Sequence, residues 1–165
     1  MIVLKFGGTS VASAESLSFV KEIVQRNYSQ KKKQVVVVSA LGGITNSLLD
    51  MSHLAAAGNE NYVDLFNEIE QRHLQLCNEI IPLVNRSATL TQTKVLLNDL
   101  EDILRGLFLV GELSPRSSDL VLSFGERLSS TIIATFFGGE ERITIISIAV
   151  AMISENHKFT PYLDF

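Results

Sequence analysis

An α/β fold, with helices packed on a largely parallel sheet, is what the order of elements along these 165 residues predicts. Three observations carry that reading. Two short apolar runs each end near a glycine pair and lead into a helix, one of them holds four consecutive valines, and the middle of the chain is helical in its periodicity.

Met1 to Phe6 is apolar apart from Lys5 and stops at Gly7-Gly8, which suits a buried parallel strand. Leu17, Val20, Ile23 and Val24 then recur at helical spacing, with Ser13 and Ser16 as caps, so a helix is expected from Ser13 to about Tyr28. Gln34 to Ala40 is too short and too β-branched for a helix and reads as a central strand covered on both faces. Gly42-Gly43 ends it before a helix from about Thr45 to Ala57. Tyr62, Leu65, Phe66, Ile69, His73, Leu76 and Ile80 form one stripe, and Leu97, Leu100, Ile103, Leu104, Leu107 and Phe108 another. Pro82 and the polar Asn85-Arg86-Ser87 are expected to separate these two helices. Ser114-Pro115 is a helix start, serine as cap and proline at the first turn, for a helix reaching about Phe137.

The composition, 46% hydrophobic and 19% charged, belongs to a globular chain able to bury one substantial core. A net charge of -4 offers no general attraction to nucleic acid, and the basic run Lys31-Lys32-Lys33 reads as a solvated turn. Cys77 is the single cysteine and is expected as a small buried hydrophobe, since no intrachain disulfide is possible. His73 has no second ligand at i+4 and is expected to be a packed histidine rather than a metal ligand. With a strand pattern beginning at Ile2 and no uninterrupted apolar stretch of about 18 residues, a cytoplasmic location is expected, with no membrane partner.

Three segments carry candidate chemistry. In Lys5-Phe6-Gly7-Gly8-Thr9-Ser10, two glycines between strand and helix let backbone amides converge on an anion, and the lysine just upstream provides charge for a phosphate. The lysine precedes the glycines, so this is not a Walker loop. Ser39 to Asn46 repeats a glycine pair after the second strand, and Ser39 and Thr45 become ligand contacts if the two loops share the crevice beyond the strand ends; a plain helix cap at Thr45 or Asn46 explains that loop equally. In Ser123 to Ser130 a Glu-Arg pair interrupts an apolar helix, with Glu126, Ser129 and Ser130 on one face, where a carboxylate can accept an ammonium group. Arg127 projects elsewhere.

In this order, Lys5 to Val11, Ser39 to Asn46 and Gly125 to Ser129 resemble the aspartate kinase branch of the amino acid kinase family, with matching helical spacing from residue 1 to about 133. The resemblance implies a three-layer αβα sandwich of the amino acid kinase type, incomplete at its C-terminus, with residues 1–165 as the N-terminal portion of the catalytic domain. It implies ATP binding at Lys5, Phe6, Gly7, Gly8 and Ser39, a catalytic role for Lys5, and L-aspartate binding at Thr45 and Glu126. The implied reaction is attack of the aspartate side-chain carboxylate on the γ-phosphate of ATP, normally with Mg2+, the first step of lysine, threonine and methionine biosynthesis. A glutamate or acetylglutamate kinase, or a non-catalytic remnant, is the alternative.

Beyond residue 133 the pattern departs from the family. Thr131-Ile132-Ile133 recurs as Thr144-Ile145-Ile146, and removing 131–143 would join Ser130 to Thr144 in one amphipathic helix. An insertion there, beginning near Phe136-Phe137-Gly138-Gly139, is therefore expected, with Pro161 to Phe165 resembling the family's next strand; the run from Ile143 to Ile153 suits strand or helix. The family's later Gly-Arg-Gly-Gly-Ser-Asp segment, its Thr-Asp-Val-Asp-Gly-Val-Tyr type of nucleotide loop, its regulatory domains and any fused homoserine dehydrogenase have no counterpart in these residues. Activity of this chain alone is not expected, and a homo-oligomer is expected only of a longer protein.

Overall fold

The computed structural model describes residues 1–28, 33–138 and 143–147. Strand β1 (Ile2–Phe6) leads through Gly7-Gly8 to α1 (Ala14–Tyr28), then β2 (Gln34–Val38), α2 (Ile44–Ala56), α3 (Tyr62–Ile80), α4 (Leu83–Val110), α5 (Pro115–Phe137) and β3 (Ile143–Ser147). The sheet is parallel in the order β1-β2-β3, with Lys5 opposite Val37, Phe6 opposite Val38, and Val38 opposite Ser147.

This order decides where the helices go. Successive parallel strands that advance in one direction, each by a right-handed crossover, place every connecting helix on the same face. The residues agree. Val36 and Val38 are buried, as is Gln34, whose amide donates to the Val24 carbonyl of α1 at 3.1 Å. Lys21 of α1 donates to the Phe136 carbonyl of α5 at 2.9 Å and lies 4.2 Å from the Phe136 ring centroid, so these two helices flank the same side. On the opposite face Val3 is 61% exposed, Lys5 is exposed, and Val35 and Val37 are half-buried. β2 is central, as its valines predict, but among the described residues β1 and β2 are covered on one face rather than the two expected.

The helices begin and end where elementary rules put them. Ser13 accepts from the Ser16 amide at 3.2 Å, and Ser114 accepts from the Ser117 amide at 3.2 Å, with Pro115 in the first turn of α5. On α1, Leu17, Val20 and Val24 are buried, whereas Ile23 is 42% exposed. Ile81 and Pro82 alone separate α3 from α4. The polar triplet expected as part of the break lies inside α4, where Arg86 donates through Nε and Nη2 to the Ile81 carbonyl (3.1 and 2.9 Å), satisfying an acceptor at the end of α3, and Thr89 donates to the Asn85 carbonyl (2.9 Å). The core of the helical layer joins Leu48 and Met51 of α2, Ile69 and Leu76 of α3, Leu97, Leu100 and Leu104 of α4, and Phe124 and Leu128 of α5.

Residues 131–137 form the last two turns of α5, with Ile132, Ile133 and Phe137 buried, and the helix stops at Gly138 with φ 79°. The segment expected to be inserted near 131–143 therefore contributes core helix in its first half. Thr144 and Ile145 stand in β3, paired with Val35 and Val36 of β2, so the start of the run that suited strand or helix is a strand. The strand resemblance at Pro161 to Phe165 lies outside the described residues.

His73 is fully buried on α3, and its Nδ1 lies 2.7 Å from the Ile69 carbonyl, which makes Nδ1–H the donor. Its Nε2 has no hydrogen-bond partner among the described residues. Burial first, and the nearby Arg72 charge as well, lower its pKa from 6.5 to about 4, against the opposing effect of the Ile69 bond. A histidine depressed in this way stabilises the fold fully above its unfolded pKa, and that contribution is lost as pH falls from 6.5 toward 4. The loss should reach about 3 kcal/mol at the acid end. Urea midpoints measured across this window should fall steeply for the wild type and less for His73→Leu; parallel profiles would refute the assignment. Cys77, also buried, has its thiol pKa raised by burial, against a 3.7 Å contact with the Thr93 hydroxyl.

Candidate active site

The three segments singled out by sequence meet at the carboxyl ends of β1 and β2. Past Phe6 the chain turns tightly, with the Ser10 amide donating to the Gly7 carbonyl at 3.0 Å. The Ser39 amide donates to the Phe6 carbonyl at 3.2 Å, extending the ladder one step beyond β2. A Cβ on Gly8 would stand 2.9 Å from the Ala40 carbonyl oxygen and 3.4 Å from the Gly42 Cα. The two glycine loops are thus packed backbone to backbone, which no larger residue at 8 permits without displacement.

The second loop opens α2. Gly43 takes φ 87°, a left-handed conformation suited to glycine, and no side chain caps the helix start. Ile44 is buried and its N–H donates to the Leu41 carbonyl at 3.0 Å; Thr45 and Asn46 are exposed at the first turn, where the helix start favours negative charge. The Arg72 guanidinium of α3 also approaches this loop, 3.9 Å from where a Gly43 Cβ would be. Sequence periodicity gave no signal for that approach, since it depends on how α3 crosses α2.

Helix α5 supplies the third side. A Cβ on Gly125 would meet the Ala40 Cβ at 2.9 Å, the Leu48 Cδ1 at 3.1 Å and the Ile44 Cγ2 at 3.4 Å. One turn later, the buried Ser129 hydroxyl donates toward the Ser39 carbonyl at 2.9 Å and lies 3.1 Å from the Glu126 carbonyl. Glu126, next to Gly125, is half-buried. Arg127 lies with its guanidinium carbon 4.3 Å from the Phe124 ring centroid; burial lowers its pKa, against the raising influence of Asp99.

The geometry therefore joins Phe6, Gly8, Ser39, the Thr45 helix start and the Glu126 helix around Ala40. Gly7 is exposed at the first turn, and Lys5, one residue before Phe6, leaves the sheet on the face opposite the helices. The contacts that close the site come from Gly8, Ala40, Gly42, Gly125 and Ser129. Among the described residues no group of three His, Cys, Asp or Glu side chains is placed to hold a metal.

A profile of the amino acid kinase family matches residues 1–154. The chain is 34% identical over 137 residues to aspartokinase 1, chloroplastic, of Arabidopsis thaliana, covering 81% of this chain and 23% of that protein. It is 26% identical over 132 residues to a bifunctional aspartokinase/homoserine dehydrogenase of Zea mays, covering 80% of this chain and 14% of that one. Its fold superposes on E. coli aspartokinase III in complex with lysine and aspartate, with a TM-score of 0.68 and 25% identity, over 82% of this chain and 28% of that chain. The same enzyme in complex with aspartate and ADP superposes with a TM-score of 0.66 and 26% identity, again over 82% and 28%. The chain thus spans about a quarter or less of the curated relatives it matches. With glycine loops, helix and parallel sheet in the arrangement described, this chain belongs to the amino acid kinase family, and its similarity runs to the aspartokinases.

Proposed function

We propose that residues 1–165 form the N-terminal part of an aspartate kinase catalytic domain, which transfers the γ-phosphoryl group of ATP to the side-chain carboxylate of L-aspartate and yields 4-phospho-L-aspartate and ADP. The observation that carries this reading is the packing of Gly8 on Ala40 and Gly42, with Gly125 against Ala40 from the other side, which gathers both glycine loops and the Glu126 helix at one end of the sheet. Backbone amides of Gly7 and Gly8 cradle phosphate oxygens, Phe6 borders the nucleotide and Ser39 lines the crevice. Lys5 neutralises charge on the transferring group. Thr45 and Glu126 hold aspartate, the carboxylate of Glu126 accepting from the substrate ammonium. Magnesium enters on the nucleotide phosphates. The work of the chain is to position the reactants and preorganise charge. The setting is cytoplasmic amino-acid biosynthesis leading to lysine, threonine and methionine, with dimers or larger assemblies belonging to a longer protein.

Isothermal titration of a longer protein carrying this chain should show binding of L-aspartate in the presence of a non-hydrolysable ATP analogue; binding of acetylglutamate or glutamate instead would replace aspartate by another acceptor. In that protein Glu126→Ala should raise KM for aspartate about tenfold or more while changing kcat less, because an ammonium contact exists before as well as during transfer. Steady-state kinetics decide this, and an unchanged KM rejects the role.

A further inference from the structure

We infer that Ser129 is a positioning residue for Ser39, acting through a peptide bond that α5 holds from behind. This rests on the aspartate kinase reading, in which Ser39 lines the phosphate crevice. Ser39 is the first residue past β2, where the ladder is running out. Its N–H is held by the Phe6 carbonyl at 3.2 Å, and its C=O is held by the Ser129 hydroxyl at 2.9 Å, across 90 positions of sequence. With both ends of the residue's backbone fixed, the direction of the Ser39 side chain and the entry into Leu41-Gly42-Gly43 are fixed as well.

A serine inside a helix usually satisfies its hydroxyl on its own preceding turn, and Ser129 lies within 3.1 Å of the Glu126 carbonyl in that way. What lets it reach Ser39 also is the closeness of α5 to the strand exit, and Gly125 sets that closeness. A methyl group at 125 would sit 2.9 Å from the Ala40 Cβ and 3.1 Å from the Leu48 Cδ1, so the helix would have to retreat. Gly125 and Ser129 are four residues apart on one helical face: the first allows the approach and the second uses it. Ser129 is fully buried, so water does not replace the hydroxyl once it is removed. Glu126 lies between them in sequence, so the same turn of helix that carries the proposed ammonium contact also holds the phosphate-side serine. Movement of α5 would therefore be felt at both substrates.

The test uses hydrogen exchange on the 165-residue chain, which needs no ligand, together with titration of MgATP into a longer protein carrying this chain. In Ser129→Ala, exchange of the amides from Ser39 to Gly43 should rise about tenfold, while that of α4 amides from Leu97 to Leu104 stays within twofold. Gly125→Ala, which keeps the hydroxyl but displaces the helix, should reproduce this local pattern, and Ser129→Thr, which keeps the donor, should restore wild-type exchange. MgATP should bind Ser129→Ala about tenfold more weakly than wild type. Exchange at 39–43 that is unchanged, or that rises equally throughout α4, overturns the positioning role, as does wild-type affinity in Ser129→Ala. Absence of MgATP binding by the wild type, with the local exchange pattern intact, overturns the nucleotide reading instead and with it the functional meaning of Ser129.

Discussion

Replacing Lys5 by alanine in a longer protein carrying this chain is expected to lower kcat by about a hundredfold or more, with a smaller effect on KM for ATP. The expectation comes from where the strand places the ammonium group. Lys5 is one residue before the end of β1, paired with Val37, and is exposed beside the Gly7-Gly8 turn. Among the described residues it has no hydrogen bond or ion pair that would compete with a phosphate for its charge. Removal of a preorganised charge from a transferring phosphoryl group takes away an interaction that grows toward the transition state, which reduces kcat in preference to binding. Rapid-quench measurement of the chemical step would separate this from slow product release. Near-normal turnover in Lys5→Ala would end the catalytic assignment, and an equal loss in Lys5→Arg would show that ammonium geometry, beyond charge, is required.

A polypeptide of residues 1–165 alone is expected to form no detectable aspartyl phosphate. The proposed phosphate loop and part of the proposed aspartate site are within it, so the expectation does not depend on those groups. It depends on the Gly-Arg-Gly-Gly-Ser-Asp and nucleotide-loop segments that the family resemblance assigns to the same crevice and that these residues do not contain. Loss of one group that stabilises developing charge costs about 3 kcal/mol, and losses within one site are not independent. Hydroxylamine trapping with ATP, Mg2+ and L-aspartate provides the measurement. Hydroxamate formed at rates comparable with an intact aspartokinase, and abolished by Lys5→Ala, would contradict the expectation.

Where local chemistry is self-sufficient, sequence was enough. Ser13 and Ser114 act as caps because the bonds they make lie within one turn, and the four valines of β2 lie in the central strand because β-branched residues suit a covered pleat. The glycine loops and the Glu126 helix were legible as motifs. What joins them was not. Gly125 reads in sequence as a helix position of poor propensity, and only the Ala40 methyl across from it explains why nothing larger fits. Ser129 was visible as a neighbour of Glu126 on one face, but its bond to Ser39 depends on the depth of docking between elements 90 residues apart. The repeated Thr-Ile-Ile illustrates the same limit: Ile132 and Ile133 are buried in α5, whereas Thr144 and Ile145 pair with Val35 and Val36 in a strand. Composition cannot separate these, because a free strand edge decides the second copy and a helix already under way decides the first.

The one-way progression β1-β2-β3 has a consequence for where a ligand can be reached. A strand added on the side of β1 that has no partner among the described residues would, by a right-handed crossover, reverse the direction of travel across the sheet and carry its helix onto the face where Val3 and Lys5 are exposed. Such a reversal makes β1 a topological switch point. Connections then diverge to opposite faces on either side of one strand and leave a cleft beyond its carboxyl end. In this chain that end is Phe6-Gly7-Gly8, so the same placement that leaves Lys5 uncovered also puts it at the rim of the cleft that a doubly wound sheet would open.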